Sequence, residues 1–320
     1  MEDNWLFVVN PASGNGRGKK SWDKKLLELK QSGLHPEVWI SARPGNIEEL
    51  VHKAVQVGFR KIASYGGDGT LNALVNGVMT QTTCPTNEVV LAHLSCGTGN
   101  DWCKTFEVPQ DASDWVKMIE RDVRFSHDVG VADVQRRGTP HRQFFVNIVG
   151  MSYDSHVVQR IDEKRMKHGF IQGKMLYDLV VASELLSYKL PTLEYRYDGN
   201  ITQKPVFNMA ISICRFNGGG MMPTPYADPA DGKLDVTVFG AMPLWMTIRD
   251  LPKLSKGTFF SNPNITWFRT AELEVDGIGK PDLVEADGES IGQTPARFTV
   301  LPKALQFVIN TVPKPKVPHN

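Results

Sequence analysis

Two domains are predicted, an α/β N-terminal domain (parallel sheet with helices) followed by a C-terminal antiparallel β-sandwich domain, and three features predict them. The chain has 320 residues, which at roughly 150 residues per domain suggests about two. Up to Asp128, short apolar runs, glycine-rich loops and helix-period segments alternate, the pattern of a sheet covered by helices. Beyond it, strand-like alternation dominates, with Asp-Gly pairs at 198–199, 231–232, 276–277 and 287–288 that suit antiparallel hairpins.

In order, residues 5–9 are a buried-strand pattern ending at Asn10-Pro11, and a glycine-rich loop follows at 13–18. Residues 20–31 have helical periodicity through Trp22, Leu26, Leu27 and Leu29 and stop at Gly33. A strand at 37–40, a helix at 47–57 ending at Gly58, and a strand at 61–65 come next. That strand runs into Gly66-Gly67-Asp68-Gly69-Thr70, and a helix is predicted over 71–79. A strand at 89–94 leads into Gly97-Thr98-Gly99-Asn100-Asp101. In the second half, strands are predicted at 128–134, 143–150, 192–197, 207–214, 234–239, 270–275, 297–302 and 305–309, with one helix at 172–187. The proline- and lysine-rich residues 313–320 read as a flexible tail.

Composition is that of a globular protein, 41% hydrophobic and 22% charged, so a sizeable core is available. Formal charge is +1, from 36 basic and 35 acidic residues; no nucleic-acid partner is expected without a basic excess. The opening Met1-Glu2-Asp3-Asn4-Trp5 is not a signal-peptide pattern. The longest mostly apolar stretch, 175–186, contains Asp178 and Glu184 and is too short to span a bilayer. Four irregularly spaced cysteines read as reduced thiols. A cytoplasmic protein is expected, peripheral at most to the inner membrane face.

Phosphate binding needs close backbone N–H groups, which glycine permits, and a helix N-terminus adds a favourable dipole. Three such loops follow predicted strands: 10–18, 66–70 and 97–101. One loop is weak, because tight turns need glycine anyway. Three at the carboxyl ends of strands in one parallel sheet lie where open α/β sheets bind ligands. There is no G-x-x-x-x-G-K-[ST], no dinucleotide fingerprint on the first helix, and no protein-kinase motif set. Asp68 inside a phosphate-binding turn would be repelled by phosphates unless a cation such as Mg²⁺ intervened; a plain helix-capping aspartate is the other reading.

Taken together, Asn10-Pro11-Ala12-Ser13-Gly14, Gly66–Thr70 with Leu71-Asn72, Gly97–Asp101 with Trp102, the segment 230–236 (ADGKLDV) and Asp287-Gly288-Glu289 resemble the diacylglycerol kinase catalytic-domain family, soluble bacterial lipid kinases related to sphingosine kinases. The motifs occur in the family's order over most of the chain; the G-G-D-G-T loop alone also resembles NAD kinases and phosphofructokinases. The resemblance implies a two-domain lipid kinase fold using ATP and Mg²⁺, with ATP in the cleft. It gives residues 1–127 plus about 304–312 to the nucleotide domain and 128–303 to the lipid-substrate domain. It implies nucleotide contacts from Asn10, Pro11, Ser13 and Gly14, from Gly66, Gly67, Asp68, Gly69, Thr70, Leu71, Asn72 and Ala73, and from Thr98 and Asn100. Ser41 stands where relatives often carry threonine. Glu289 is implied as the proton acceptor, with Asp287 in its metal and hydrogen-bond network. Asp68 and Asp101 would act towards the nucleotide's Mg²⁺ directly or through water. A structural Mg²⁺ is implied at the Asp231 side chain and the carbonyls of Asp228 and Lys233. On local sequence alone, Asp287-Gly288-Glu289 reads first as an ordinary hairpin turn with an exposed glutamate, and the 228–233 segment reads either as a plain hairpin turn or as the cation site.

The implied reaction moves the γ-phosphate of ATP to a lipid hydroxyl, diacylglycerol first, with phosphatidylglycerol, ceramide and sphingoid bases open. Residues 159–174 mix basic and apolar side chains; they read either as a membrane-facing element or as a solvated helix face. Met221 and Met222 read as acyl-pocket lining or as core. Exposed sheet edges leave a homodimer open. A kinase for a soluble substrate such as NAD and a non-catalytic nucleotide- or lipid-binding regulator are the rivals.

Overall fold

The computed structural model describes residues 4–13, 18–43, 45–97, 99–168, 183–185 and 188–314. Gly14, Thr98, most of the helix expected at 172–187, the end of the basic segment 159–174 and residues 315–320 lie outside the described residues.

The first half builds a parallel sheet. β1 (Trp5–Val9) pairs on one side with β2 (Glu37–Ile40) and on the other with β3 (Lys61–Gly66), which pairs with β4 (Val90–Ser95). All five residues of β1 are buried, because helices cover both faces of such a sheet. From α1 (Gly18–Gln31), Trp22 packs on Phe7 with ring centroids 5.2 Å apart and on Tyr65 at 4.9 Å. α2 (Asn46–Gln56) and α3 (Asp68–Thr80) cross closely where Gly77 meets Val51; a Cβ on Gly77 would lie 2.7 Å from the Val51 Cβ. α4 (Asp101–Thr105) and α5 (Ala112–Arg121) follow, the latter capped by Asp111, which accepts from the N–H groups of Ser113 and Asp114.

The second half is antiparallel. It comprises β5 (Arg124–Arg136), β6 (Thr139–Phe145), β7 (Ile148–Ser152), α6 (Tyr153–His168), β8 (Thr192–Tyr197) and β9 (Asn200–Ser212). β10 (Leu234–Gly240), α7 (Leu244–Leu254), β11 (Ile265–Thr270), β12 (Glu272–Ile278), β13 (Leu283–Ala286) and β14 (Glu289–Val308) complete it. β9, β7, β13, β14, β12 and β8 pair in a closed ring, so the expected sandwich is joined at its edges like a barrel. The long strands β9 and β14 serve both layers. β14 also runs along β5 and ends parallel to β4, Gln306 opposite Val90 and Phe307 opposite Leu91. One continuous sheet therefore spans both halves.

Several elements differ from expectation. The helix predicted from 71 begins at Asp68, so Asp68, Gly69 and Thr70 form its first turn and not a preceding loop. The strand predicted over 143–150 breaks at Val146-Asn147, where the Val146 N–H is diverted to Asp287, the Asn147 side chain donates to the Phe216 carbonyl, and the Asn147 carbonyl accepts from the Ile213 and Cys214 N–H groups. The strands at 297–302 and 305–309 are one strand with an irregularity between Leu301 and Leu305. Asp276-Gly277 lies inside β12 instead of at a turn, with Gly277 pressed against the Lys280 carbonyl. α7 was not expected from the sequence: Pro252 interrupts its pattern, and of its apolar side chains Leu244, Trp245, Ile248 and Leu251 are exposed while Leu254 packs inward.

Candidate active site

The three glycine loops meet. A Cβ on Gly97 would lie 3.0 Å from the Gly67 Cα, so the second and third loops touch backbone to backbone. The first loop is folded on Asn10: its amide Nδ2 donates to Thr70 Oγ1 at 3.0 Å, its Oδ1 accepts from the Ala12 N–H at 3.1 Å, and its carbonyl accepts from the Ser13 N–H and hydroxyl. Thr70 in turn fills the space above Gly66; a Cβ there would sit 2.1 Å from Thr70 Oγ1. Pro11 is partly exposed beside Asn10. Ser41 stands at the end of β2, its N–H donating to the Val9 carbonyl and its hydroxyl to the Arg43 carbonyl. It is next to the first loop, but its hydroxyl is already used. Leu71 is core, and Ala73 packs against the core; any nucleotide contact from them is through backbone.

Carboxylates crowd the floor of this cleft. Asp68 Oδ1 accepts from the Asp101 N–H at 2.9 Å. A Cβ on Gly99 would fall 2.9 Å from Asp68 Oδ2 and 3.3 Å from Asp101 Oδ2, so both acids lean over that glycine. Burial, then the charges of Asp101 and Asp287, push the Asp68 carboxyl up to about 6. Asp101 is tied down on both oxygens, by Lys104 Nζ at 2.7 Å and by the Gly219 N–H at 2.8 Å. Asn100 has a left-handed backbone (φ 50°), donates to the Gly97 carbonyl, and buries its Oδ1 with no protein donor.

The fourth component comes from the other half of the chain. Ala286 pairs with Glu289 across Asp287 (φ 49°) and Gly288 (φ 86°), a two-residue hairpin turn of the kind Asp-Gly favours. Asp198-Gly199 makes the same turn between β8 and β9, and its aspartate is solvent-facing. Asp287 is instead buried: Oδ1 accepts from the Ile148 N–H at 2.9 Å, and Oδ2 from Asn72 Nδ2 at 2.8 Å and the Val146 N–H at 3.4 Å. Burial still raises its carboxyl to about 6, against the pull of those donors. Beneath the turn, Glu285 is buried and accepts from the Gly288 N–H at 2.8 Å; burial and the charge of Asp154 push its carboxyl well up. Glu289, exposed, reaches across to the first turn of α3, its Oε1 lying 2.9 Å from where a Cβ on Gly69 would be.

Asn72 joins the two halves. Besides Asp287, its Nδ2 donates to the Phe144 carbonyl at 3.0 Å, and its Oδ1 accepts from Asn76 and Gln143. Asn76 bonds the Phe144 N–H and carbonyl at 3.0 and 2.9 Å. The Asn72 side chain is therefore spent on fixing α3 to the β6–β7 corner. Asn72→Ala is expected to leave Asp287 short of a donor and to lower unfolding free energy by about 2–3 kcal/mol, measured by urea titration; an unchanged midpoint would show that the bond carries no stability.

The 228–233 segment lies apart from this cluster. Asp231 Oδ1 accepts from the Lys233 N–H at 3.0 Å, and its other oxygen faces Arg269 at 3.7 Å. Asp228 accepts from the Ala230 N–H. Asp128, not singled out in the sequence, anchors the loop by accepting from the Gly232 N–H at 2.6 Å and the Lys303 N–H at 2.7 Å. Among the described residues no group of three or more His, Cys, Asp or Glu side chains forms a ready metal cage, so a cation here would depend on Asp231 and carbonyl oxygens. The same holds at the cleft, where the hard carboxylate oxygens of Asp68 and Asp101 come together over Gly99 and suit a cation that nucleotide phosphates or water help to hold.

Residues missed in the sequence are those whose role is to hold others. Gly219 could have been found from the triple glycine 218–220, and Asn76 from its one-turn spacing to Asn72; nothing local marks the Phe144 carbonyl or Glu285.

Residues 4–132 match the diacylglycerol kinase catalytic domain family, and residues 147–309 match the YegS C-terminal NAD kinase beta sandwich-like domain. A diacylglycerol kinase of Mycobacterium tuberculosis is 26% identical over 315 residues, covering 94% of this chain and 93% of the relative. A diacylglycerol kinase of Bacillus subtilis is 25% identical over 303 residues, covering 95% of each. The crystal structure of a diacylglycerol kinase from Bacillus anthracis superposes with a TM-score of 0.69 at 18% identity, over 98% of each chain, and shows the shared fold. With family models matching residues 4–132 and 147–309 and relatives matched over nearly the whole length, this chain belongs to the diacylglycerol kinase catalytic-domain family of lipid kinases.

Proposed function

We propose that the protein transfers the γ-phosphate of ATP to the hydroxyl of a lipid, with diacylglycerol the leading substrate and phosphatidic acid the product. The observation that carries this is the meeting of Glu289, from the β-domain, with the first turn of α3 and the glycine loops of the α/β domain. Phosphoryl transfer is mostly positioning and charge stabilisation. The loop amides and the α3 N-terminus suit the phosphates, and Glu289 sits where it can take the proton of an attacking hydroxyl. Mg²⁺, when bound with the nucleotide, supplies positive charge; Asp68 is the residue best placed to hold it, directly or through water, with Asp101 and Asp287 behind it. Asn10, Pro11, Ser13, Gly14, Ser41, Thr98 and Asn100 are proposed to line the nucleotide. A second Mg²⁺ at Asp231 with the Asp228 and Lys233 carbonyls belongs to the same proposal, and it must outcompete Arg269. Relatives named for diacylglycerol support the substrate choice.

Radiolabelled phosphate transfer to a lipid panel in detergent micelles with Mg²⁺ tests it. Labelling of diacylglycerol above phosphatidylglycerol, ceramide and sphingoid bases is the expected result. Labelling of another lipid would replace the substrate, and ATP binding with no lipid labelled would favour the soluble-substrate or regulator reading.

A further inference from the structure

Helix α7 is seated the wrong way round for a soluble protein. Its one buried residue is acidic, Asp250, while Trp245 is 61% exposed, Ile248 is 54% exposed, and Leu244 and Leu251 are exposed too. The spacing 244, 245, 248, 251 places these four on one side over two turns, and a helix on a protein surface ordinarily turns that side inward. Here polar bonds seat the helix: Asp250 accepts from Asn262 Nδ2 and Arg249 Nε, each at 2.8 Å, with Lys253 Nζ at 2.9 Å.

Charge decides what such a face fits. On and just after the helix stand Arg249, Lys253 and Lys256 against Asp250 alone, and Asp250 is buried. The Arg249 guanidinium lies 5.5 Å over the Trp245 ring. An apolar face with an aromatic side chain and a positive margin complements an anionic lipid surface. The helix also adjoins the site: the Leu254 carbonyl accepts from the Met222 N–H at 2.8 Å, and Met222 follows the turn whose Gly219 N–H holds Asp101.

We propose that α7 docks the protein on an anionic bilayer, with Leu244, Trp245, Ile248 and Leu251 entering the headgroup–acyl boundary and Arg249 and Lys256 against the headgroups. The geometry stands by itself, and its purpose rests on the lipid-kinase reading. The test is co-sedimentation with vesicles of phosphatidylcholine with or without phosphatidylglycerol, for wild type and the double variant Trp245→Glu/Ile248→Glu. Micellar phosphate transfer and sedimentation velocity are run on the same samples. The expected result is wild-type binding favouring anionic vesicles, lost about tenfold or more in the variant, with micellar transfer unchanged. As a second probe, vesicles should blue-shift wild-type tryptophan emission, and Trp245→Phe should remove that shift. Equal vesicle binding by the double variant, or an unshifted wild-type emission on bound vesicles, overturns the proposal. So does a wild-type dimer, indifferent to vesicles, that the variant turns into monomer, because the face then covers a second copy. Vesicle binding lost in the variant while neither protein labels any lipid supports the docking helix and removes the kinase reading instead.

Discussion

Glu289→Gln is expected to lower phosphate transfer to lipid by roughly two orders of magnitude or more, with the fold and ATP affinity kept. The substitution retains shape and removes the proton acceptor. Because Glu289 is exposed at the first residue of β14, its loss disturbs no core packing. The turn that presents it is held from beneath, by Asp287 on the β6–β7 corner and Asn72 and by Glu285 on the Gly288 N–H. The measurement is single-turnover transfer alongside nucleotide titration. A variant retaining more than about a tenth of the wild-type rate would remove Glu289 from the base role, since general-base contributions are seldom so small.

Asp68→Asn is expected to have two effects of opposite sign. Transfer should fall about a hundredfold or more, because the charge facing the nucleotide's cation is gone. Stability of the ligand-free protein should rise at neutral pH. The Asp68 and Asp287 carboxyls titrate near 6 in the folded protein against an ordinary 3.8. The folded state therefore binds more protons than the unfolded chain between those values, and stability falls as pH rises through that window. Above it both acids are ionised while buried; an amide at 68 removes a charge that burial disfavours and that Asp101 and Asp287 repel. The checks are a thermal melt at pH 4, 5, 6 and 7 and its response to Mg²⁺ with nucleotide. Wild type should lose stability from pH 4 to 6 relative to the variant and regain it on adding Mg²⁺ and nucleotide, and the variant should respond weakly. A variant less stable than wild type at pH 7 would show that the Asp101 N–H bond outweighs the repulsion.

Much of this was legible in the sequence because the signals are local. Trp5–Val9, Glu37–Ile40 and Lys61–Gly66 are apolar runs bounded by glycine or proline, and the ordered glycine loops carried the family resemblance that implied Asp68 and Glu289. What could not be read was chosen by partners far along the chain. Asp287 and Asp198 occupy identical Asp-Gly turns, and only the distant Ile148 amide and Asn72 amide group separate a buried carboxylate from a surface one. The helix start at Asp68 was placed three residues late because glycine at 69 has poor helix propensity, yet the Gly67 carbonyl accepts from the N–H groups of Thr70 and Leu71. α7 escaped because Pro252 and the preceding Pro243 leave only a short apolar spacing between them.

β14 carries one further meaning. Its first residue is the acid facing α3 and its last residues lie between β4 and β5, a path of 20 residues through both halves. Without that strand, β4 would end the parallel sheet with a bare row of amide and carbonyl groups over buried Val90 and Leu91. The stretches matched by the two family models, 4–132 and 147–309, thus share one sheet, the second supplying a strand to the first. The parallel half is completed only when Gln306 and Phe307 take their place beside Val90 and Leu91.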